Sequence, residues 1–395
     1  MGLKEKIKDL DYYIVIPYAV LCVIGIIMVF SASSNISMQN GGTANSYLWK
    51  QISYVILGTF FAIWLYICRN KWLRKGHILR ILSILFFLVF IFLKFKGQAI
   101  NGSPGWFNLF GFGIQPAEFV KFYFIVLYAY TFSRDEKDPS IYDNWYTFRT
   151  HHNFIFLMTA LILFIIFFLP DLGGMLINFT IVLVMILSSG ISYRRATRIL
   201  VGLLAAAFGI LYLVAFGPLK SSKLLQSNYM MQRVLAFSDP FAHANGVGQQ
   251  LVNSYYAISN GGLFGTGIGN SIQKTGYLPE PNTDFIMAII AEELGLIGVI
   301  TIIVLLFIIV GRILYLGMHT NDSYGTLICY GTATYIVVQT YFNVGGVTGI
   351  LPITGVTFPF ISYGGSSMIT LCLCLGLVLK VSRRYKIQRK NMLKG

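Results

Sequence analysis

Residues 285–311 read FIMAIIAEELGLIGVITIIVLLFIIVG, a long run whose only ionisable side chains are Glu292 and Glu293. A helix that crosses a bilayer needs about 20 consecutive, mostly apolar residues, because the hydrocarbon core is about 30 Å thick. This run is long enough to meet that requirement. It therefore predicts a membrane-spanning helix.

Nine similar apolar runs lie on either side of it. They cover residues 13–32, 51–68, 78–95, 114–133, 153–169, 174–190, 199–217, 324–345 and 361–380. Hydrophobic residues make up 56% of the 395 and charged residues 11%, against about 25% charged residues in soluble domains. This composition excludes a soluble enzyme, a disordered chain and a nucleic-acid-binding module. It predicts an all-α, polytopic membrane protein of about ten transmembrane helices, with residues 1–395 as a single membrane domain.

The basic residues predict how the spans are oriented. With the N-terminus placed in the cytoplasm, 22 of the 30 Lys and Arg residues fall in inner segments, seven in outer segments and one, Lys121, in a span. Cytoplasmic loops carry the excess of Lys and Arg in membrane proteins. The net charge of +15 is thus explained by topology, and both termini are predicted to be cytoplasmic. The basic tail, residues 381–395, is expected to lie against anionic lipid.

One outer segment, residues 218–284, is much longer than the other loops. Loops of this length usually carry function. Apolar residues recur at helical spacing from Val247 to Ile258, which predicts an amphipathic helix on the outer membrane face. The glycines between 261 and 269 do not form a nucleotide-binding loop, since no Gly-Lys-Ser/Thr follows them. They favour tight turns and close backbone approach to a lipid head group.

Ionisable groups inside spans are candidates for function, because each costs roughly 2.5–3.5 kcal/mol to insert. Glu118 and Lys121 are three residues apart on one predicted helix, so they share a face and can form an ion pair. Either they line a site or they pair only to let a polar helix insert. Asp171 is predicted to cap the next helix. Of Glu292 and Glu293, one is expected to face the bundle interior and to support helix packing, since adjacent helical residues point about 100° apart.

Asp284 lies where the long outer segment enters the run 285–311. Pro279 and Pro281 stiffen the approach to it. Its carboxylate could cap the helix, a role for which Thr283 competes, or it could take a proton from a substrate hydroxyl at the outer interface. The five histidines and five cysteines are scattered, so neither a metal site nor a disulfide framework is predicted. No cofactor is predicted either.

Several motifs, in this order, resemble the SEDS family (shape, elongation, division and sporulation) of peptidoglycan polymerases. The resemblance covers nearly the whole chain. Its most specific pieces are Gln115-Pro116-Ala117-Glu118 with Lys121, Pro170-Asp171-Leu172-Gly173, the glycine-rich stretch 265–271, Tyr277-Leu278-Pro279-Glu280 with Thr283-Asp284, and residues 351–367. The stretch from Gly265 to Glu280 is most similar to the division branch of the family. Many members carry Arg before the Trp of the loop that precedes the fourth span, whereas this chain has Gly105 before Trp106.

The resemblance implies a substrate, lipid II, which is a disaccharide-pentapeptide on undecaprenyl diphosphate. The essential acid of the family matches Asp284, which would accept the proton of the GlcNAc 4-hydroxyl as that oxygen attacks the anomeric carbon of MurNAc. Undecaprenyl diphosphate would leave with inversion. The implied substrate-binding residues are Trp106, Gln115, Glu118, Lys121, Arg233, Lys274, Glu280, Ser362 and Ser366. Of these, Lys274, Arg233 and Lys121 are the candidates to balance the diphosphate charge.

Two other functions fit the same residues. A lipid II flippase would suit ten spans with an embedded ion pair, but it needs a polar path across the whole bilayer. A non-catalytic scaffold for other division proteins would not need Asp284. The resemblance further implies a single-pass class B penicillin-binding protein with transpeptidase activity as partner, with spans eight and nine as the expected contact. It also implies a location in the bacterial cell membrane at the division septum.

Overall fold

The chain forms an almost entirely helical structure. A computed structural model describes residues 9–39, 45–68, 70–100, 103–109, 112–135, 139–142, 144–215, 237–244, 246 and 248–392. The helices are α1 (Tyr12–Gln39), α2 (Ser46–Ile67), α3 (Gly76–Lys96), α4 (Pro116–Asp135), α5 (Trp145–His151), α6 (Asn153–Phe168), α7 (Leu172–Leu187), α8 (Tyr193–Ala215), α9 (Gln249–Gly261), α10 (Ile286–His319), α11 (Ser323–Val347) and α12 (Gly365–Met392). Each of the ten apolar runs corresponds to one long helix, and the predicted all-α membrane fold is confirmed.

The helices differ in how well they suit the bilayer on their own. Five helices in the described part of the chain are long and apolar enough to cross a membrane, namely α1, α2, α3, α10 and α12. A sixth is reached if α5 and α6, which meet at 76°, form one broken span. Among the others, α4 has most of its side chains buried against neighbouring helices, including that of Lys121. Polar groups are tolerated at such depth where protein rather than lipid surrounds them. The count of ten crossings stays a prediction.

Helices α4, α11 and α12 contact one another at the centre of the bundle, and α2, α7 and α10 pack against them. Small residues let the backbones approach closely. A Cβ atom at Gly376 in α12 would lie 2.6 Å from the carbonyl oxygen of Ala62 in α2. Small side chains at helix crossings are typical of membrane bundles, in which close van der Waals packing drives association.

A small antiparallel sheet lies between α3 and α4, where only a loop was expected. Its strands are β1 (Gln98–Ile100), β2 (Ser103–Leu109) and β3 (Phe112–Ile114), in the order β1-β2-β3. Phe107 pairs with Ile114 across β2 and β3, and its ring stacks on Phe92 of α3 at a centroid distance of 6.0 Å. The sheet thereby sets the positions of Trp106 in β2 and of Gln115 at the start of α4.

The amphipathic stretch of the long segment is indeed helical, and it packs on protein. In α9, Leu251 and Ala257 are buried against α10 and α11. The glycines that follow do approach another backbone closely, but the partner is α10 rather than a lipid head group. A Cβ atom at Gly265 would lie 2.2 Å from the carbonyl oxygen of Glu293, next to a break in α10 where Gly295 has φ 69°.

Both Glu292 and Glu293 are buried, so the expectation that only one would face the interior is wrong. Glu292 accepts a hydrogen bond from Asn260 Nδ2 (2.9 Å). Glu293 accepts from Ser31 Oγ of α1 (2.8 Å) and forms an ion pair with Lys274 (2.6 Å). Two adjacent helical residues can both be enclosed here because α1 covers one side of α10 and the glycine-rich segment covers the other.

Candidate active site

Asp284 is carried by a turn directly before α10. The position that caps α10 is Phe285, so neither Thr283 nor Asp284 occupies the cap that the sequence suggested as their structural role. Asp284 is half-buried. The turn therefore places this half-buried carboxylate at the N-terminal end of α10.

The backbone on which Asp284 sits is anchored to distant parts of the chain. Three consecutive carbonyl groups of this turn accept hydrogen bonds: Asn282 from the Tyr363 amide (2.8 Å), Thr283 from Ser362 Oγ (2.7 Å) and Asp284 from Asn343 Nδ2 (2.8 Å). Asn343 also donates to the carbonyl of Val356 (2.7 Å). A carboxylate on a backbone anchored in this way needs little reorganisation before it reacts.

Two residues beside this turn adopt backbone conformations that L-residues rarely take. Glu280 has φ 55° and the buried Phe360 has φ 62°. Left-handed conformations at non-glycine residues are strained, and such strain clusters at functional sites. The Glu280 carboxylate accepts a hydrogen bond from Thr283 Oγ1 (2.7 Å), which links it to the turn that carries Asp284.

Polar side chains line one face of α11, from the end that contacts the Asp284 turn toward the start of the helix. Tyr335, Gln339 and Asn343 are spaced four residues apart and are all buried, and we call them the polar row. Gln339 Nε2 donates to the Thr357 carbonyl (2.8 Å). At a rise of 1.5 Å per residue the row spans about 12 Å. It connects the turn of Asp284 with the interior of the bundle.

The predicted ion pair lies at the inner end of the polar row. Lys121 Nζ is 2.5 Å from Glu118 Oε1, and the Tyr335 hydroxyl donates to Glu118 Oε2 (3.2 Å). Lys121 is 1% exposed and its Nζ lies 5.1 Å from the centre of the Tyr335 ring. The pairing inferred from the spacing is therefore present, and it is joined to α11.

Gln115 links three elements around the start of α4. Its main-chain amide nitrogen donates to Ser366 Oγ of α12 (2.9 Å), and its side-chain Nε2 donates to Asp171 Oδ2 (2.9 Å). Asp171 also accepts from the Gly174 amide (2.7 Å), so it caps α7 as predicted. Trp106 is half-buried on the neighbouring strand, where its ring packs over Gly113.

The structure does not place every predicted substrate-binding residue on an open surface. Lys274 is 4% exposed and its ammonium contacts Glu293 and Ser31, a placement that does not support a contact with diphosphate. The Ser362 hydroxyl accepts from the Phe358 amide (2.7 Å) and donates to Thr283, so it acts on the Asp284 turn. Arg233 lies outside the described residues.

An apolar cavity of about 350 Å³ borders α4. It opens between α2, α3, α4 and α12, and its lining includes Trp64, Leu82, Phe119 and Leu373. Glu118 and Lys121 are not among the described residues that line it. Its apolar walls suit a hydrocarbon chain.

The prediction of no metal site was based on the scattered histidines and cysteines and did not consider a carboxylate beside two adjacent histidines. In the described residues Asp135, His151 and His152 have possible ligand atoms within 4.8 Å of one another. His152 Nε2 is 2.6 Å from Asp135 Oδ2, and its Nδ1 is 2.8 Å from the Phe148 carbonyl oxygen. Both distances are those of hydrogen bonds. The group lies at the end of α4 away from Glu118.

Sequence reasoning missed the polar row and Asn343 in particular. A signal was available, since Tyr335, Gln339 and Asn343 recur every four residues in an otherwise apolar run. That spacing places them on one face of a helix. What they contact could not be read from the spacing, because their partners lie on other elements.

Comparison with known proteins agrees with this architecture. Residues 12–387 match the sequence profile of the FtsW/RodA/SpoVE family, described as "Cell cycle protein". The chain is 36% identical to the "Probable peptidoglycan glycosyltransferase FtsW" of Lactococcus lactis over 96% of this chain and 93% of that protein. It is also 36% identical to the protein of the same name from Bacillus subtilis, over 96% and 92%.

Solved structures share the fold. One, described under "Structural coordination of polymerization and crosslinking by a peptidoglycan synthase complex", superposes with a TM-score of 0.72 at 27% identity, over 95% of this chain and 98% of that one. The rod shape determining protein RodA of Thermus thermophilus superposes with a TM-score of 0.65 at 24% identity, over 95% and 97%.

Proposed function

The chain belongs to the FtsW/RodA/SpoVE family of cell cycle proteins, and we infer that it is a peptidoglycan glycosyltransferase of the division type. Its relatives in Lactococcus lactis and Bacillus subtilis carry that activity in their names. As a multi-pass membrane protein it would act on a lipid-linked substrate, and we propose that this substrate is lipid II. The apolar cavity that borders α4 supports a substrate that keeps its hydrocarbon chain in the bilayer.

We propose Asp284 as the catalytic base. It would take the proton of the GlcNAc 4-hydroxyl while that oxygen attacks the anomeric carbon of MurNAc on a second substrate. The bond from that carbon to the diphosphate oxygen breaks, and undecaprenyl diphosphate leaves with the bonding electrons. The observation that carries this assignment is the anchored turn: three successive carbonyls, at residues 282–284, are hydrogen-bonded to distant segments.

The leaving diphosphate needs a nearby cation. Lys121 and Lys274 are both buried, and each is already paired with a glutamate, Glu118 and Glu293 respectively. The polar row connects Lys121 with the turn of Asp284, so Lys121 is the candidate that we test, and Arg233 stays a prediction. Gly105 is buried in β2 next to Trp106, so the strand that carries Arg in many relatives provides no cation at that position here.

The flippase alternative is less well supported. A flippase needs polar groups along a path through the bilayer. Between Tyr324 and Thr332, the buried side chains of α11 are those of Leu327, Ile328 and Cys329. The polar row therefore gives way to an apolar layer in the described part of α11. This favours a site at one face over a path across the membrane.

We further propose a membrane-anchored class B penicillin-binding protein as partner, acting with this chain at the division septum. Helix α10 supports a contact there, since Ile297, Ile300, Val304 and Phe307 recur at helical spacing and are exposed. A cysteine at Ile300 should cross-link to the membrane helix of the partner. A cysteine at the buried Ile302 should not.

The function can be tested with purified protein, its transpeptidase partner and labelled lipid II. We expect glycan strands that increase in length with time, and none from an Asp284→Asn control. Vesicles that contain the protein should transfer lipid II between leaflets no faster than vesicles without the protein. Transfer without polymerisation would reject the glycosyltransferase assignment in favour of a flippase.

A further inference from the structure

A second cavity, with basic residues in its lining, lies at the opposite end of the bundle from Asp284. It has a volume of about 430 Å³ and opens between the end of α2, the start of α11 and the second half of α12. Tyr324 lines it near the start of α11, whereas Asn343 contacts the Asp284 turn near the end of the same helix. The 19 residues between them span about 28 Å. The cavity thus lies at the other membrane face, which the basic residues predict to be cytoplasmic.

The lining of this cavity is strongly cationic. Its basic residues are Lys71, Arg74, Lys380, Arg383 and Arg384. Asp322 is the acidic residue that pairs with them in the described chain, at 2.8 Å from Arg74 and 3.1 Å from Arg384. One carboxylate against five cations leaves most of the positive charge uncompensated. An anionic ligand would balance it.

Three residues that line the cavity each carry a buried polar atom with no hydrogen-bond partner among the described residues. These atoms are the Tyr324 hydroxyl, Arg383 Nε and Asn70 Oδ1. Tyr324 is 8% exposed, and Arg74 lies over its ring at 4.1 Å. A buried donor without an acceptor costs free energy. Two donors beside several cations suit the oxygens of a phosphate group.

Other hydrogen bonds hold the walls of the cavity in place. Lys380 Nζ donates to the carbonyls of Leu65 (3.4 Å) and Cys68 at the end of α2. Arg383 donates to the Tyr66 carbonyl (3.5 Å). These bonds attach α2 to α12 and form one wall. Apolar side chains, among them Ile328 and Leu377, complete the lining.

We propose that this cavity binds the phosphate of an anionic phospholipid head group, with Tyr324 and Arg383 as hydrogen-bond donors. A phospholipid fits better than a soluble phosphate because the site combines cations with apolar walls at the membrane face. Basic pockets between transmembrane helices on the cytoplasmic side are a known form of head-group site. The proposal does not depend on the glycosyltransferase assignment.

The test uses the purified full-length protein in detergent, titrated with phosphatidylglycerol, phosphatidylcholine or inorganic phosphate. Bound lipid is counted by native mass spectrometry, and thermal stability is measured in parallel. Phosphatidylglycerol should be retained and should raise Tm, and phosphatidylcholine should bind much more weakly. Arg383→Gln should weaken phosphatidylglycerol binding about tenfold, since a charge-assisted hydrogen bond is lost. Tyr324→Phe, which keeps the shape of the site, should also weaken it.

Arg389→Gln is the matched control, because Arg389 lies further along α12 and is exposed outside the cavity. It should bind phosphatidylglycerol as the unaltered protein does. Equal binding by all three variants and the unaltered protein would overturn the proposal. Equal retention of the two lipids by the unaltered protein would do the same. Stabilisation by inorganic phosphate that matches that by phosphatidylglycerol would overturn the assignment to a lipid.

Discussion

Asp284 shows how a single residue acquires a defined place. Its side chain comes from a short turn, but the position of that turn depends on Asn343, Ser362 and the Tyr363 amide. These three contacts join residues that are between 59 and 81 positions apart in the sequence. Asn343 and Ser362 are thus positioning residues for the proposed base.

Replacement of Asp284 by Asn should abolish polymerisation while leaving substrate binding in place. The amide keeps the shape of the carboxylate but cannot accept the proton, and loss of a general base typically costs 10²–10⁴-fold in rate. Polymerisation of labelled lipid II measures the rate, and retention of lipid II on the immobilised protein measures binding. Asp239→Asn is the control, since Asp239 is an exposed carboxylate in the same long segment. Polymerisation by Asp284→Asn at the unaltered rate would refute the assignment.

The ion pair of Glu118 and Lys121 allows its structural and functional roles to be separated. Lys121→Met alone should destabilise the fold, because breaking a buried pair costs roughly 3–5 kcal/mol. The double variant Glu118→Gln/Lys121→Met removes both charges and should regain most of that stability. If Lys121 contacts the diphosphate, the double variant should still polymerise at least about tenfold more slowly.

The measurements for this pair are Tm and the initial rate of polymerisation at a saturating concentration of the transpeptidase partner. A stable double variant with full activity would show that the pair serves only insertion and packing.

At the scale of elements, the glycine-rich segment is shaped by its contact with α10. Gly265 and Gly269 both have positive φ, 78° and 91°. A Cβ atom at Gly265 would lie 2.2 Å from the Glu293 carbonyl oxygen, whereas one at Gly269 would meet nothing within 4 Å. The two positions therefore share a backbone requirement and differ in packing.

Gly265→Ala should destabilise the protein more than Gly269→Ala. Both variants incur the cost of a left-handed residue, but only Gly265→Ala forces the segment away from α10, for roughly 1–3 kcal/mol more. Thermal unfolding of the detergent-solubilised proteins gives the comparison. Equal Tm values would mean that the segment can shift without loss.

For the whole molecule, the basic residues predict which end faces the cytoplasm. The basic cavity and the proposed active site lie at opposite ends of α11, separated by about the thickness of a bilayer core. A reporter that works only in the cytoplasm should therefore be active when it is fused after Gly395. It should be inactive when it is inserted at Asp239. Activity of a C-terminal reporter that works only outside the cytoplasm would reverse the orientation and place Asp284 on the wrong face for the proposed reaction.

The sequence by itself determined the membrane class, the ten helical runs, the pairing of Glu118 with Lys121 and the capping role of Asp171. These features depend on hydropathy and on spacing within one helix, which are local properties. The small sheet escaped prediction because its strands are only three to seven residues long and show no regular alternation of apolar and polar residues.

Only the tertiary structure decided what the long-range partners are. It showed that Lys274 pairs with Glu293, that both Glu292 and Glu293 are enclosed, and that Asn343 anchors Asp284. It also brought the basic residues of α12 and of the segment after α2 together around one cavity. Such contacts join segments tens to hundreds of residues apart. They follow from how helices pack side by side, which the periodicity of one helix does not specify.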